Sequence, residues 1–355
     1  MRILHLSYTS KEDNNGFDVV IKRNQSFLKK TFGEEVVLTY KLPPTSIKRL
    51  ALSVLGLSGY GVTRFSEKKL LRFIKRHDID SVFLEGSFFG RIVKLLKKHR
   101  IRSIIFSHNI ESSLYRQRYR HHKNLISYSQ YSFVSFNEKR TFKYASHVIT
   151  LNSRDSDLLK KKYSRTADCE LPISCDYRGA EDTLIKTEKK YGLFVGSNFF
   201  PNVSGISWFI KNVATKIPFE TWVVGSCCDA LKANSDEFPH NIKLKGFVDN
   251  LEEVYHNAAF IIVPLFMGSG MKTKTVEALS YAKTIIGTSE AFVGIEANFS
   301  KLGGICNTAD EFIEKINSDS LPLYYNQYSA ELFLNSYSNN VVFSRFREFI
   351  KSTSA

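Results

Sequence analysis

Phe260–Ala282 reads FIIVPLFMGSGMKTKTVEALSYA. Ile261, Ile262 and Val263 form a short β-branched run closed by Pro264, the pattern of an interior strand in a parallel sheet. Gly268, Ser269 and Gly270 follow, where glycine opens backbone angles closed to other residues. A run of helix formers comes next, with Val276 and Leu279 on one face. Strand, glycine turn and helix in this order aim unpaired N–H groups and the positive end of a helix dipole at an anion, and Lys274 adds a full charge in the first turn. A diphosphate suits such a place. Glu277, three residues beyond Lys274 on the same face, can accept from a pair of sugar hydroxyls such as those of a ribose. The two side chains can equally form an ordinary i,i+3 pair worth a few tenths of a kcal/mol.

Residues 268–279, Gly-Ser-Gly-Met-Lys-Thr-Lys-Thr-Val-Glu-Ala-Leu, resemble the donor-nucleotide motif of family-4 glycosyltransferases (glycosyl transferases group 1) with the GT-B fold. The resemblance implies an α/β protein of two Rossmann-like, doubly wound domains facing each other across a cleft. By analogy the loop amides from Gly268 through Ser269 and Gly270 to Met271, together with Lys274, hold the donor diphosphate, and Glu277 holds the ribose. The family's first glutamate would stand at Ser269 and is absent here, while Ala282 and Thr284 occupy places usually held by Gly and Pro. The implied reaction is metal-independent transfer of a sugar, with retention, from a nucleotide-diphosphate sugar to a glycan or lipid-linked acceptor. No separate cofactor and no metal are expected. Two alternatives share the fold: a nucleotide-sugar epimerase, and a non-catalytic glycosyltransferase-like partner protein in which Ser269 marks a lost site.

The chain of 355 residues is long enough for two ordinary cores. The expected division is an acceptor-binding domain over 1–170, a linker over 171–190, a nucleotide-sugar-binding domain over 191–335 and a helix over 336–355 returning to the first domain. No apolar run reaches membrane-spanning length, and the start Met1–Ser7 reads as a strand and not a leader. Five cysteines without metal-ligand spacing suit a reducing compartment, so a cytoplasmic location is expected.

The net charge of +15 is unevenly spread. Residues 1–180 carry 34 Lys and Arg against 16 Asp and Glu, a net of +18; the rest carry 16 against 19, a net of −3. An anionic partner therefore meets the first half. The apolar stretch Ile47–Tyr60 beside the basic helix Ser66–His77 suits an anionic bilayer, which suggests a peripheral protein at the inner face of the plasma membrane. Nucleic acid is not expected, because no recognised motif accompanies the charge.

His108 follows the strand Ser103–Ser107, and ligands of open α/β sheets gather at such carboxyl ends. His-Asn-x-Glu, residues 108–111, also resembles the family's pattern, which places His108 at the reaction centre and Glu111 near it. The same analogy puts Asn15 and Gly16 at the donor or acceptor, and Gly196, Ser197 and Asn202 against the donor. Backbone at Val248 meets the base, and Glu290 and Gly294 line the sugar pocket. Asn15-Gly16 can also be a plain turn and Asn202 a helix cap. Asp78-Ile79-Asp80 and Asp155-Ser156-Asp157 lack companion ligands and read as a turn before a strand and a helix start.

Overall fold

The structure, a computed structural model, describes residues 2–9, 16–44, 46–55, 61–179, 190–235 and 237–353. The chain forms two compact units, Met1–Pro172 with Phe343–Ala355, and Ile173–Val342.

The first unit carries a parallel sheet of β1 (Ile3–Tyr8), β2 (Val37–Leu42), β3 (Ser81–Glu85), β4 (Arg102–Ser107), β5 (His147–Thr150) and β6 (Cys169–Glu170), in the order β2-β1-β3-β4-β5-β6. The chain builds outward from β1 on one side and then returns past it to β3. The order thus reverses between β1 and β3, and ligands of such sheets usually lie at the carboxyl ends of strands flanking a reversal. Leu4, Leu6, Val82, Leu84 and Ile105 face a core shared with Leu70 and Ile74 of the helix Arg64–Arg76 and Ile92, Val93 and Leu96 of the helix Gly90–Lys98.

Pairing register fixes what lies on the opposite face. His5 pairs with Phe83 and Glu85 with Phe106, and side chains two apart share a face. His5, Phe83, Glu85 and Phe106 are thus aligned, and His108 continues the row just past β4. The helices Gly16–Phe32 and Asn339–Ser352 cover this face through Phe27 against Phe343 (5.1 Å between ring centroids) and Phe83 against Phe346 (6.0 Å).

The second unit repeats the plan with β7 (Tyr191–Val195), β8 (Glu220–Val224), β9 (Ile242–Gly246), β10 (Phe260–Val263), β11 (Ile285–Gly287) and β12 (Gly303–Ile305), ordered β12-β11-β10-β7-β8-β9 and all parallel. Here the reversal falls between β7 and β10. The stretch expected as a linker over 171–190 is in part a working piece of this unit. Cys175 bridges to Ser338, and the Arg178 amide donates to the Ser280 carbonyl (2.8 Å). Residues 180–189 lie outside the described residues.

Lys283 is buried, with 1% of its surface exposed, and its ammonium donates to the carbonyls of His256 (2.8 Å), Ala258 (3.1 Å) and Tyr324 (2.6 Å). The acceptors belong to the end of the helix Leu251–Asn257, the turn into β10 and the segment after β12. Lys283→Met keeps the volume and removes all three donors. Stranding buried carbonyls should cost about 3 kcal/mol, a fall in Tm of roughly 6–12 °C for a unit of this size, measurable by calorimetry. An unchanged Tm would show that the ammonium adds nothing to stability.

Candidate functional site

In the second unit the turns after β7 and β10 meet at the reversal of strand order. Gly268 (φ +157°) and Gly270 (φ +64°) shape the turn before the helix Thr273–Ser280, and Met271 is buried. Lys272 Nζ donates to the Gly270 carbonyl (2.9 Å) and to Glu290 Oε1 (2.7 Å), which ties the turn to the short helix Ser289–Phe292. Glu290 is thus an anchor of the glycine turn, and Ser269 is half-buried within it. Gly294 (φ +80°) closes the next turn, with its carbonyl accepting from Tyr337 Oη (3.3 Å).

Lys274 stands in the first turn of the helix and donates to Asn202 Oδ1 (2.7 Å), with its ammonium 4.3 Å from the centre of the Phe194 ring. Asn202 is not a helix cap. It lies in the first turn of the helix Phe200–Asn212, and its amide reaches back to the carbonyl (3.1 Å) and hydroxyl (3.3 Å) of Ser197. Asn202 is therefore the link between the two turns. Gly196 serves the backbone: its N–H donates to Val224 (2.9 Å) and its carbonyl accepts from Cys227 (3.2 Å). Gly225 has φ +102°, and a Cβ there would lie 2.4 Å from the Gly196 oxygen, so the turns after β7 and β8 close only on glycine. Val248 is half-buried in the loop after β9.

Burial pushes the Lys274 ammonium down to about 7, with Lys272 adding to the effect and Cys227 and Glu277 opposing it. Glu277 takes different partners from Lys274: Tyr255 Oη donates to it (3.1 Å) and Arg178 lies 3.9 Å away. Burial raises the Glu277 carboxyl against the pull of Tyr255, Arg178 and Lys274. The i,i+3 pair that the sequence allows does not form.

The first unit carries a second polar group. Glu85, fully buried, accepts from His5 Nε2 (2.7 Å) on one oxygen and His108 Nε2 (2.8 Å) on the other, while Asn24 Nδ2 reaches both (3.2 Å each). Burial alone would raise the Glu85 carboxyl, and the bonds from His108 and His5 bring it below the usual range. Phe17 lies against the His108 ring (4.3 Å between centroids) and Phe106 meets it edge-on (5.1 Å). Gly16 opens the helix that bears Phe17 and Asn24; Asn15 lies outside the described residues.

Glu111 begins the helix Glu111–His122, and burial followed by the nearby Glu138 charge pushes its carboxyl up to about 8, so it holds a proton at neutral pH. Glu138 caps that helix, accepting from the amides of Glu111 (2.7 Å) and Ser112 (3.1 Å), from Ser87 (2.8 Å) and Tyr163 (2.6 Å), and from the Ser112 hydroxyl. Among the described residues no group of His, Cys, Asp and Glu side chains is arranged to hold a metal ion.

The sequence reading named His108, Lys274 and Glu277 and missed His5, Asn24, Glu85, Lys272, Arg178 and Tyr255. For His5 and Glu85 a signal was present: each is the one ionisable side chain that does not belong in a mostly apolar interior strand. Arg178 and Tyr255 carried none.

The model of the glycosyl transferases group 1 family matches residues 189–318. No curated protein sequence matches the chain. Among solved structures, sucrose-phosphate synthase from Thermosynechococcus elongatus superposes with a TM-score of 0.73 at 11% identity, covering 99% of each chain. WaaG, a glycosyltransferase involved in lipopolysaccharide biosynthesis, gives 0.67 at 12% over 99% of each. HepE of Anabaena, solved in complex with UDP, gives 0.66 at 12% over 99% of this chain and 100% of that one. At these identities the superpositions speak for the fold, and the family match speaks for the second unit. Together they give the chain the fold of GT-B glycosyltransferases, with a glycosyl transferases group 1 domain over residues 189–318.

Proposed function

We propose that the second unit binds a nucleotide-diphosphate sugar and that the first receives a glycan or lipid-linked acceptor, in bacterial surface polysaccharide or glycoconjugate synthesis. The observation that carries this reading is Lys274. Its ammonium sits at a helix start beside a glycine turn, desolvated far enough to lower its pKa to about 7 and held by one neutral amide oxygen. A half-buried, desolvated cation of this kind is stabilised by an anion, and a diphosphate supplies two charges that fit the turn. The complexes of Anabaena HepE with UDP and with UDP-glucose support uridine nucleotides as the first ligands to try.

In the proposed reaction the bond from the anomeric carbon to the β-phosphate oxygen breaks, and a bond to the acceptor hydroxyl oxygen forms on the same face. The hydroxyl proton passes to the departing diphosphate. Lys274 and the loop amides stabilise the charge on the leaving group, which lets the transfer proceed without a metal. Glu277, polarised by Tyr255 and Arg178, accepts from the ribose hydroxyls. Gly196, Ser197, Asn202 and Val248 complete the donor wall; Glu290 and Gly294 hold its sugar end; Gly16 and Glu111 lie on the acceptor side.

The basic first half adds a membrane-surface role at the cytoplasmic face. On the helix Ile47–Leu55 and at the start of Arg64–Arg76, Leu55 (82%) and Phe65 (71%) are exposed, with Leu52 and Val54 beside them. Arg64, Lys68, Lys69 and Arg72 lie on the second of these helices, and each basic residue near an anionic bilayer contributes about 1 kcal/mol.

Calorimetric titration with UDP, GDP, ADP and dTDP should show one diphosphate binding the wild type and failing to bind Lys274→Ala; binding of none would overturn the donor reading. UDP-glucose has no ionisation near neutrality, so its affinity should be greatest below about pH 7 and fall by up to about tenfold per pH unit above it, as Lys274 loses its proton in the free protein. At pH 8 binding should take up a proton from buffer, and Lys274→Met should abolish both effects. Vesicles of phosphatidylglycerol should sediment the protein at low salt and release it at high salt, whereas vesicles of phosphatidylcholine should not bind it. Equal sedimentation with both would remove the membrane proposal.

A further inference from the structure

We propose that Glu85 is a positioning residue that fixes His108 as its Nε2–H tautomer and presents Nδ1 as a bare acceptor for a hydroxyl of the sugar substrate. The inference rests on the reading that the carboxyl edge of the first sheet meets a sugar.

Two histidines share one carboxylate, and their second nitrogens fare differently. His5 Nδ1 is buried without a partner, inside the sheet face. His108, itself only 4% exposed, also has no partner at Nδ1 among the described residues, and it differs from His5 in standing beyond the end of β4. One imidazole therefore closes the back of the carboxylate and the other carries its effect outward.

The carboxylate can only accept, so each Nε2 must donate, and a neutral ring with Nε2–H has its lone pair at Nδ1. Four donors fill Glu85: the two histidines and both contacts of Asn24. Asn24 is itself oriented, since Arg23 Nε (3.2 Å) and one terminal nitrogen (2.8 Å) donate to its Oδ1, which turns Nδ2 toward Glu85. The other Arg23 terminal nitrogen donates to the Pro172 carbonyl (2.7 Å). Phe17 and Phe106 hold the His108 ring from two sides. The arrangement is that of a carboxylate-oriented imidazole whose outer nitrogen does the work. A network that served stability alone would not need to end in a histidine past the strand.

The test uses the full chain labelled with 15N-histidine, with His108 signals assigned by their loss in His108→Gln. Long-range nitrogen–proton correlation should show His108 with a protonated Nε2 and a bare Nδ1. Glu85→Gln keeps the shape and offers an amide donor to one ring, so the His108 signature should move toward Nδ1–H. Turnover of UDP-glucose, read as UDP release, should then fall in kcat by about 10- to 100-fold, with KM and the Kd for UDP within about twofold. A wild-type ring protonated at Nδ1 overturns the proposal, and so does a variant with unchanged kcat or one whose loss merely follows loss of folded protein. If Glu85→Gln does not fold, the wild-type spectrum decides. If the wild type neither binds UDP nor turns over UDP-glucose, the donor reading fails, while the tautomer of His108 still decides the role of Glu85.

Discussion

The constraint on which both candidate sites depend is the reversal of strand order in each parallel sheet, next to β1 and next to β7. Parallel strands send all their outgoing loops to one edge, and a reversal parts two neighbouring loops there. In the second unit the parted loops are the turns after β7 and β10, and a single amide, Asn202, spans them between Ser197 and Lys274. Lys274 is half-buried, and desolvation by the groups around its ammonium lowers its pKa. The site is built around a cation whose desolvation is not offset by any carboxylate in direct contact.

The first unit uses the same edge differently. Two of the carboxylates it buries, Glu85 and Glu138, are fully enclosed, and each is saturated with donors, because an unpaired charge there would cost far more than the fold could sustain. Glu138 spends its acceptors on a helix start and three hydroxyls, so its role is local order. Glu85 spends its acceptors on side chains from β1, the loop after β4 and the helix Gly16–Phe32. A carboxylate bound to three elements at the point where they converge transmits orientation from one to another. The difference between the two is one of partners and not of burial.

Much of the second site was legible because its parts are contiguous. Strand, glycine turn and helix run from residue 260 to 280, and local chemistry fixes the turn and the helix start. The first site was legible only at His108. His5, Asn24 and Glu85 converge on it from positions up to about a hundred residues away, through a register that no single segment encodes. Short strands were also invisible: β6, β11 and β12 have two or three residues each, too few for any period to show. Arg178 fell within a stretch whose irregular composition resembled a linker, because a segment pinned by backbone bonds to Ser280 and Asn339 needs no periodic pattern of its own.

Ala282 and Thr284, just past the helix Thr273–Ser280, have a common physical account. Ala282 has φ +53°, a left-handed conformation that costs a residue with a Cβ about 1 kcal/mol or more. The strain is held from both sides: the Ala282 amide donates to Leu279 (2.9 Å), its carbonyl accepts from Asn326 (2.7 Å), and Lys283 next to it donates to three carbonyls. Thr284 adds two hydrogen bonds of its own. Its hydroxyl donates to the Pro322 carbonyl (2.6 Å) and accepts from Asn326 Nδ2 (3.1 Å). Both residues therefore lean on the segment 322–326, which sews the end of the helix Thr273–Ser280 to the strand that follows. The helix that presents Lys274 and Glu277 is thereby fixed at its far end by polar lacing, while the glycine turn shapes its near end.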